Sequence, residues 1–272
     1  MTMADLLHRI AEAAERLAPP PPRAADPLAH PAYIWGGHVL APARVFAPLP
    51  LALLHGVDAQ RDTVVAALAR LAEGHASHDI LLWGARGTGK SALVKSAVAD
   101  VQARGGALAL VDVAADRLES LPMLFSTIAG VARGFAIFID DLGFDTPGEA
   151  RLLRSVLEGG AEARPANARL IVTANRRHLV PRTMAEQESA INPRDVVDDA
   201  LALADRFGVS LGFPAIDQET YLAIVAGYAA HFGLAADGDD AALWSRQRGS
   251  RSGRVAWHYV TELAGRSGRV LG

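Results

Sequence analysis

Asp79-Ile-Leu-Leu-Trp-Gly-Ala-Arg-Gly-Thr-Gly-Lys-Ser91 decides the fold. Its apolar lead-in, Ile80 to Trp83, reads as a short buried strand. Gly84-Ala85-Arg86-Gly87-Thr88-Gly89-Lys90-Ser91 meets G-x-x-x-x-G-K-[ST] at every defined position, and helical periodicity follows from Ser91 to Val101. In such a strand, loop and helix the glycines let the backbone curl until successive N–H groups point inward. The helix N-terminus adds a field that favours anions. The chemistry expected is phosphate binding: Lys90 reaching the β- and γ-phosphates of ATP, and the Ser91 hydroxyl ligating Mg²⁺.

Working outward, four more short apolar runs stand at intervals that leave room for crossover helices: Leu108 to Val111, Phe135 to Ile139, Leu170 to Thr173 and Val209 to Phe213. The first four runs of the five are too apolar for half-exposed strands. They predict a doubly wound α/β domain with a parallel five-stranded sheet covered on both faces. After Pro214 the strand signal stops, and Glu219 to Phe232, Asp240 to Arg248 and Gly253 to Ala264 read as three helices. Before the sheet, Leu6, Leu7, Ile10, Ala14 and Leu17 recur at helical spacing until Pro19 to Pro22 end the helix. The Pro- and Ala-rich stretch from Pro19 to Pro50 reads as an extended connector. The expected organisation is an N-terminal helix and arm over 1–50, a nucleotide-binding domain over 51–214 and a small C-terminal helical domain over 215–272.

Two further strand ends carry chemistry. Phe135-Ala-Ile-Phe-Ile139 runs into Asp140-Asp141, where strand ends open onto the ligand crevice of an α/β sheet. Asp140 is the expected outer-shell partner of Mg²⁺, and Asp141 the group that orients or deprotonates the water attacking the γ-phosphate. Adjacent side chains on a strand need not share a face, so a pair of capping or loop aspartates stays open. Arg169-Leu-Ile-Val-Thr-Ala-Asn175 ends in an amide able to bond both that water and the γ-phosphate, although asparagine at a strand's end is also a common turn former. Arg176, Arg177 and His178 form a local basic cluster behind it.

Bulk properties narrow the classes. The 272 residues, half of them apolar, suffice for one large core with a satellite. A net charge of −3 and a pI near 6.3 give no global field for nucleic acid or an anionic membrane, so any DNA contact has to be local. The absence of cysteine excludes disulfides, thiolate metal sites and cysteine nucleophiles. The first 22 residues carry Asp5, Glu12 and Glu15 and do not read as a secretory signal. The most apolar region, Leu121 to Ile139, is broken by Ser126, Thr127 and Arg133 and does not read as a membrane span. The expected compartment is the cytoplasm.

In order along the chain, GARGTGKS, FAIFIDDLGF, RLIVTANRRH, ADRFG and RSGRVA resemble the motifs of an AAA+ ATPase. Within that group the chain is similar to a bacterial family of predicted ATPases without an assigned function, over roughly Leu51 to Leu263. The resemblance implies Walker A at Lys90 and Ser91, Walker B at Asp140 and Asp141, and sensor 1 at Asn175. It implies an arginine finger at Arg206, acting on the nucleotide of a neighbouring subunit in a homo-oligomer, and sensor 2 at Arg254, reaching the phosphates of its own subunit. Leu53-Leu54-His55-Gly56-Val57 resembles the stretch that lines the adenine site.

Asp140-Asp141 departs from the Asp-Glu of most vigorous AAA+ motors and matches the form of replication initiators and some helicase-loader relatives. A shorter carboxylate holds water less closely, which suggests slow turnover and a switch. The leading expectation is an ATPase that remodels an unidentified client. The alternatives are a DNA-associated initiator-like or loader-like switch, helped by Arg176, Arg177 and His178 and by Arg246, Arg248 and Arg251; a self-contained P-loop kinase; and a nucleotide-bound scaffold. A GTPase is disfavoured, because no N-K-x-D motif is present.

Overall fold

The computed structural model describes residues 2–17, 24–143, 153–157, 164–175 and 205–271. The basic cluster at Arg176, Arg177 and His178, with the tract that follows it, lies outside these residues. Strands β1 (Ala32–Trp35), β2 (Leu40–Pro42), β3 (Ile80–Gly84), β4 (Leu108–Val113), β5 (Gly134–Leu142), β6 (Ala168–Asn175) and β7 (Val209–Phe213) form one sheet in the order β2-β1-β4-β5-β6-β3-β7. Among the described residues only the β1–β2 pairing is antiparallel.

The sheet therefore has seven strands, not the five expected from sequence. The two additions come from the stretch read as a connector. Tyr33 and Trp35 bury one face of β1, while Ile34 between them is 52% exposed on the other. The hydroxyl of Tyr33 donates to Asp26 O at 2.7 Å, and the indole N–H of Trp35 donates to Ser120 Oγ at 2.7 Å. Pro42 ends β2 at the sheet edge, where a missing backbone donor costs little.

The five apolar runs read from sequence all form strands. The continuous apolarity of the first four follows from burial on both faces, whereas β7 is buried only at Phe213. On one face Ile80, Leu82, Leu110, Ala136, Phe138 and Ile171 pack with Val64, Leu68, Leu93 and Val98 of α2 (Asp58–Ala72) and α3 (Lys90–Ala103). On the other, Leu81, Val111, Ile137, Ile139 and Val172 pack with Leu121, Leu124 and Ile128 of α4 (Leu121–Ile128) and with Leu153. The N-terminal α1 (Met3–Leu17) precedes these layers.

Beyond β7, α5 (Gln218–His231), α6 (Gly238–Gln247) and α7 (Gly253–Arg266) close around Tyr221, Ile224, Tyr228, Ala256 and Val260. Each starts on a side-chain cap: Asp217 accepts from Thr220 N, Asp237 from Asp239 N and Asp240 N, and Ser252 from Val255 N. Leu53, in a 3₁₀ turn before α2, is part of this helical core and couples it to the α/β layers.

Candidate functional site

Parallel pairing places three strand ends side by side. Gly84 at the end of β3 is in register with Asn175 at the end of β6, and β5 lies beside β6. The loop after β3 turns at Gly84 (φ 146°), Gly87 (φ 77°) and Gly89 (φ 97°), left-handed or nearby backbone that a side chain would strain. A Cβ on Gly84 would meet Phe213 O at 2.5 Å, so β7 passes too close for any other residue. Gly89 is the N-cap of α3, which directs the first N–H groups of that helix into the loop.

Lys90, 7% exposed, curls back over the loop and donates from Nζ to Gly84 O at 2.9 Å and Ala85 O at 2.8 Å. Burial pushes its ammonium below its ordinary pKa; Asp141 and Asp140 oppose that push, and Arg86 adds to it. Thr88 Oγ1 donates to Ala85 O at 2.9 Å and closes the turn.

Across the crevice, β5 carries a bulge. Ile139 pairs with Val172 and Leu142 with Ala174, so Asp140 and Asp141 together face the single residue Thr173. Asp141 has φ 50°, the one non-glycine residue with positive φ among the described residues. Thr173, 1% exposed, holds the bulge from both sides. Its Oγ1 accepts from Asp141 N at 2.8 Å and donates to Asp140 Oδ1 at 2.6 Å. The bulge sets both carboxylates at the end of β5, each bonded to a residue of a neighbouring strand or of the loop. Ser91 Oγ donates to Asp140 Oδ1 at 2.6 Å, Asn175 Nδ2 donates to Asp141 Oδ1 at 2.6 Å, and the Arg86 guanidinium lies 3.3 Å from Asp141 Oδ2.

Lys90, Ser91, Asp140, Asp141 and Asn175 are thus gathered at the ends of β3, β5 and β6. Arg254 is exposed in the first turn of α7, and that turn is fastened to the loop: Gly253 N donates to Gly87 O at 2.9 Å, and Ser252 packs where a Gly87 side chain would go. Arg206 is placed differently. It precedes β7, and parallel pairing of Ile80 with Val209 and of Gly84 with Phe213 sets it at the opposite end of the strands from its own loop. The segment from Leu53 to Val57 lies under α5: Gly56 meets Thr220, and the Nε2 of His55 packs against Gly227 without a hydrogen-bond partner among the described residues.

Sequence reasoning missed Thr173, whose signal was a hydroxyl in an otherwise apolar buried run. It also missed Asp112 at the end of β4, 4.0 Å from Lys95; burial raises its carboxyl pKa, Lys95 lowers it and Asp140 raises it further.

The residues fit a nucleoside triphosphate with Mg²⁺. The loop supplies an inward-turned backbone, a helix N-terminus and one buried ammonium, while Ser91 and Asp140 offer hard oxygen atoms beside it. No group of three or more His, Cys, Asp or Glu side chains that could hold a metal ion occurs among the described residues. No described helix is long and apolar enough to cross a membrane.

A sequence family described as "Protein of unknown function (DUF815)" matches residues 28–267. No curated protein matches the chain. Among solved structures, the RuvB Holliday junction branch migration motor of Thermotoga maritima is similar over 82% of this chain and 67% of its own, at 17% identity and a TM-score of 0.51. The ORC1 protein of Aeropyrum pernix in complex with DNA is similar over 82% and 66%, at 17% identity and TM-score 0.53. The ORC2 protein of the same organism, in ADPNP and ADP complexes, is similar over 84% and 67%, at 15% identity and TM-score 0.54. The chain spans about two thirds of these proteins, and at such identities the likeness is one of fold: an α/β domain around a mostly parallel central sheet.

Proposed function

The chain belongs to the family described as "Protein of unknown function (DUF815)", and we propose that it is an AAA+ ATPase whose hydrolysis site is shared between subunits. The observation that carries this reading is the convergence of Lys90, Ser91, Asp140, Asp141 and Asn175 on one opening at the ends of β3, β5 and β6. The backbone N–H groups of 84–91 and the Lys90 ammonium hold the phosphates of ATP. Mg²⁺, held from Ser91 with Asp140 behind it, would offset charge on the β- and γ-phosphate oxygens. Asp141 orients the attacking water and accepts its proton, and Asn175 keeps the carboxylate aligned. Arg254 reaches the phosphates from α7.

Arg206 lies at the far end of the strands from its own site. That position supports a role on a neighbouring subunit's nucleotide, where its charge offsets that developing on the transferring phosphoryl group. Hydrolysis then alters the contact between subunits and the fastening of α7 to Gly87, and so does work on a client. The short Asp141 side chain favours slow turnover.

Mg²⁺-dependent ATP hydrolysis against protein concentration, in the wild type, Lys90→Ala and Arg206→Ala, tests the reading. The expected result is a rate per subunit that rises with concentration, loss of activity in both variants, and retained ATP binding in Arg206→Ala. Normal hydrolysis by Arg206→Ala overturns the shared site and favours a self-contained P-loop enzyme.

A further inference from the structure

Both oxygens of the Asp141 carboxylate are engaged within the chain. Oδ1 accepts from Asn175 Nδ2 at 2.6 Å, and Oδ2 faces the Arg86 guanidinium at 3.3 Å. Arg86 belongs to the phosphate loop itself, between Gly84 and Gly87. Its side chain is 76% exposed and that of Asp141 56%, so the pair is a surface ion pair and costs little to exchange. Asp141 is held there in left-handed backbone, φ 50°, on a bulge clamped by Thr173, an arrangement the sheet alone does not require. A guanidinium in a phosphate loop has a better partner than one exposed carboxylate, because its planar fork matches phosphate oxygens and takes them in pairs.

We propose that Arg86 is a positioning latch: it holds Asp141 when the loop has no phosphates and transfers to the phosphates when they enter, releasing Oδ2 to accept from water. The inference rests on the nucleotide reading of the loop and deepens it. Arg86 controls Asp141 through this exchange, and the release makes the water-orienting carboxylate available only when phosphates occupy the loop. No bond other than hydrogen bonds changes in the step.

Affinity for Mg²⁺ and ADP, measured by calorimetry on the full chain in a double-substitution cycle of Arg86→Gln and Asp141→Asn, tests the latch without relying on turnover. Asparagine tolerates left-handed backbone, so the second change removes the charge and keeps the bulge. Removing a carboxylate near phosphates tightens ADP in any background; the latch adds to that only where Arg86 is present. The expected result is that Asp141→Asn tightens ADP about two- to fivefold more in the Arg86 chain than in the Arg86→Gln chain, the range an exposed ion pair supports. Equal tightening in both backgrounds overturns the latch and leaves the nucleotide site standing. Absence of ADP binding in the wild type overturns the nucleotide reading, and the latch with it.

Discussion

Ser91 Oγ donates to Asp140 Oδ1 at 2.6 Å, joining the first turn of α3 to the end of β5. Asp140 is bonded in turn to Thr173 Oγ1 at 2.6 Å, so the hydroxyl expected to meet Mg²⁺ is held by a carboxylate that is itself held. Partners of this kind orient a metal ligand, and their loss typically costs 10- to 100-fold in metal affinity. Asp140→Asn is therefore expected to weaken Mg²⁺ binding in the presence of ADP by about that factor. ADP binding without Mg²⁺ should change little, because Lys90 and the loop backbone are untouched. Titrations with and without a chelator check it, and equal weakening in both removes the assignment.

Thr173 predicts a different pattern. Thr173→Val keeps shape but removes the acceptor for Asp141 N and the donor to Asp140, leaving a backbone N–H unpaired at a cost of about 1–3 kcal/mol. The bulge loses its clamp, so turnover is expected to fall at least tenfold while ADP affinity holds within about threefold, since no loop residue is altered. Thr173→Ser, which keeps the hydroxyl, should recover most of the rate. Steady-state kinetics with a binding titration on both variants decide the matter.

The central strands were legible because they are buried on both faces, which leaves unbroken apolar runs such as Ile80 to Leu82 and Phe135 to Ile139. β1 and β2 were not: they are four and three residues long, one face of β1 exposes Ile34, and the prolines around them read as a connector. The loop from Gly84 to Ser91 announces itself because its chemistry is local in sequence. The bulge does not, since the shared Thr173 pairing depends on register with β6, 33 residues away from Asp140. Nor could the sequence show that Ser252 and Gly253 reach Gly87, which is a matter of how α7 docks.

That docking separates two loop glycines. A Cβ on Gly87 would lie 2.7 Å from Ser252 Cβ, whereas one on Gly89 would meet nothing within 4 Å. Both have positive φ, so either alanine costs about 1–2 kcal/mol in backbone strain. Only Gly87→Ala should also lift α7 from the loop. Limited trypsin digestion is expected to cut after Arg251 and Arg254 several-fold faster in Gly87→Ala than in Gly89→Ala. Equal rates would mean that α7 is held without this contact.

Tyr221, at the centre of the helical core, is fully buried, and its hydroxyl has no hydrogen-bond partner among the described residues. Burial, with Tyr259 adding to it and Arg248 opposing it, pushes its ionisation up to about 12. In the unfolded chain tyrosine titrates near 10, so the unfolded state loses this proton first. The stability contributed by neutral Tyr221 is complete below pH ~10 and is lost as pH rises from there through the folded value. Tyr221→Phe removes that loss and an unpaired buried hydroxyl, and it is expected to stabilise the fold by about 1 kcal/mol at pH 8. Its advantage should grow between pH 8 and pH ~11, although burial also raises Tyr228 and Tyr259, so the variant keeps part of the alkaline slope. Urea denaturation of both proteins at the two pH values measures the gap. A variant less stable at pH 8 would mean that the hydroxyl is paired, and a gap that stays constant would mean that Tyr221 is not what titrates.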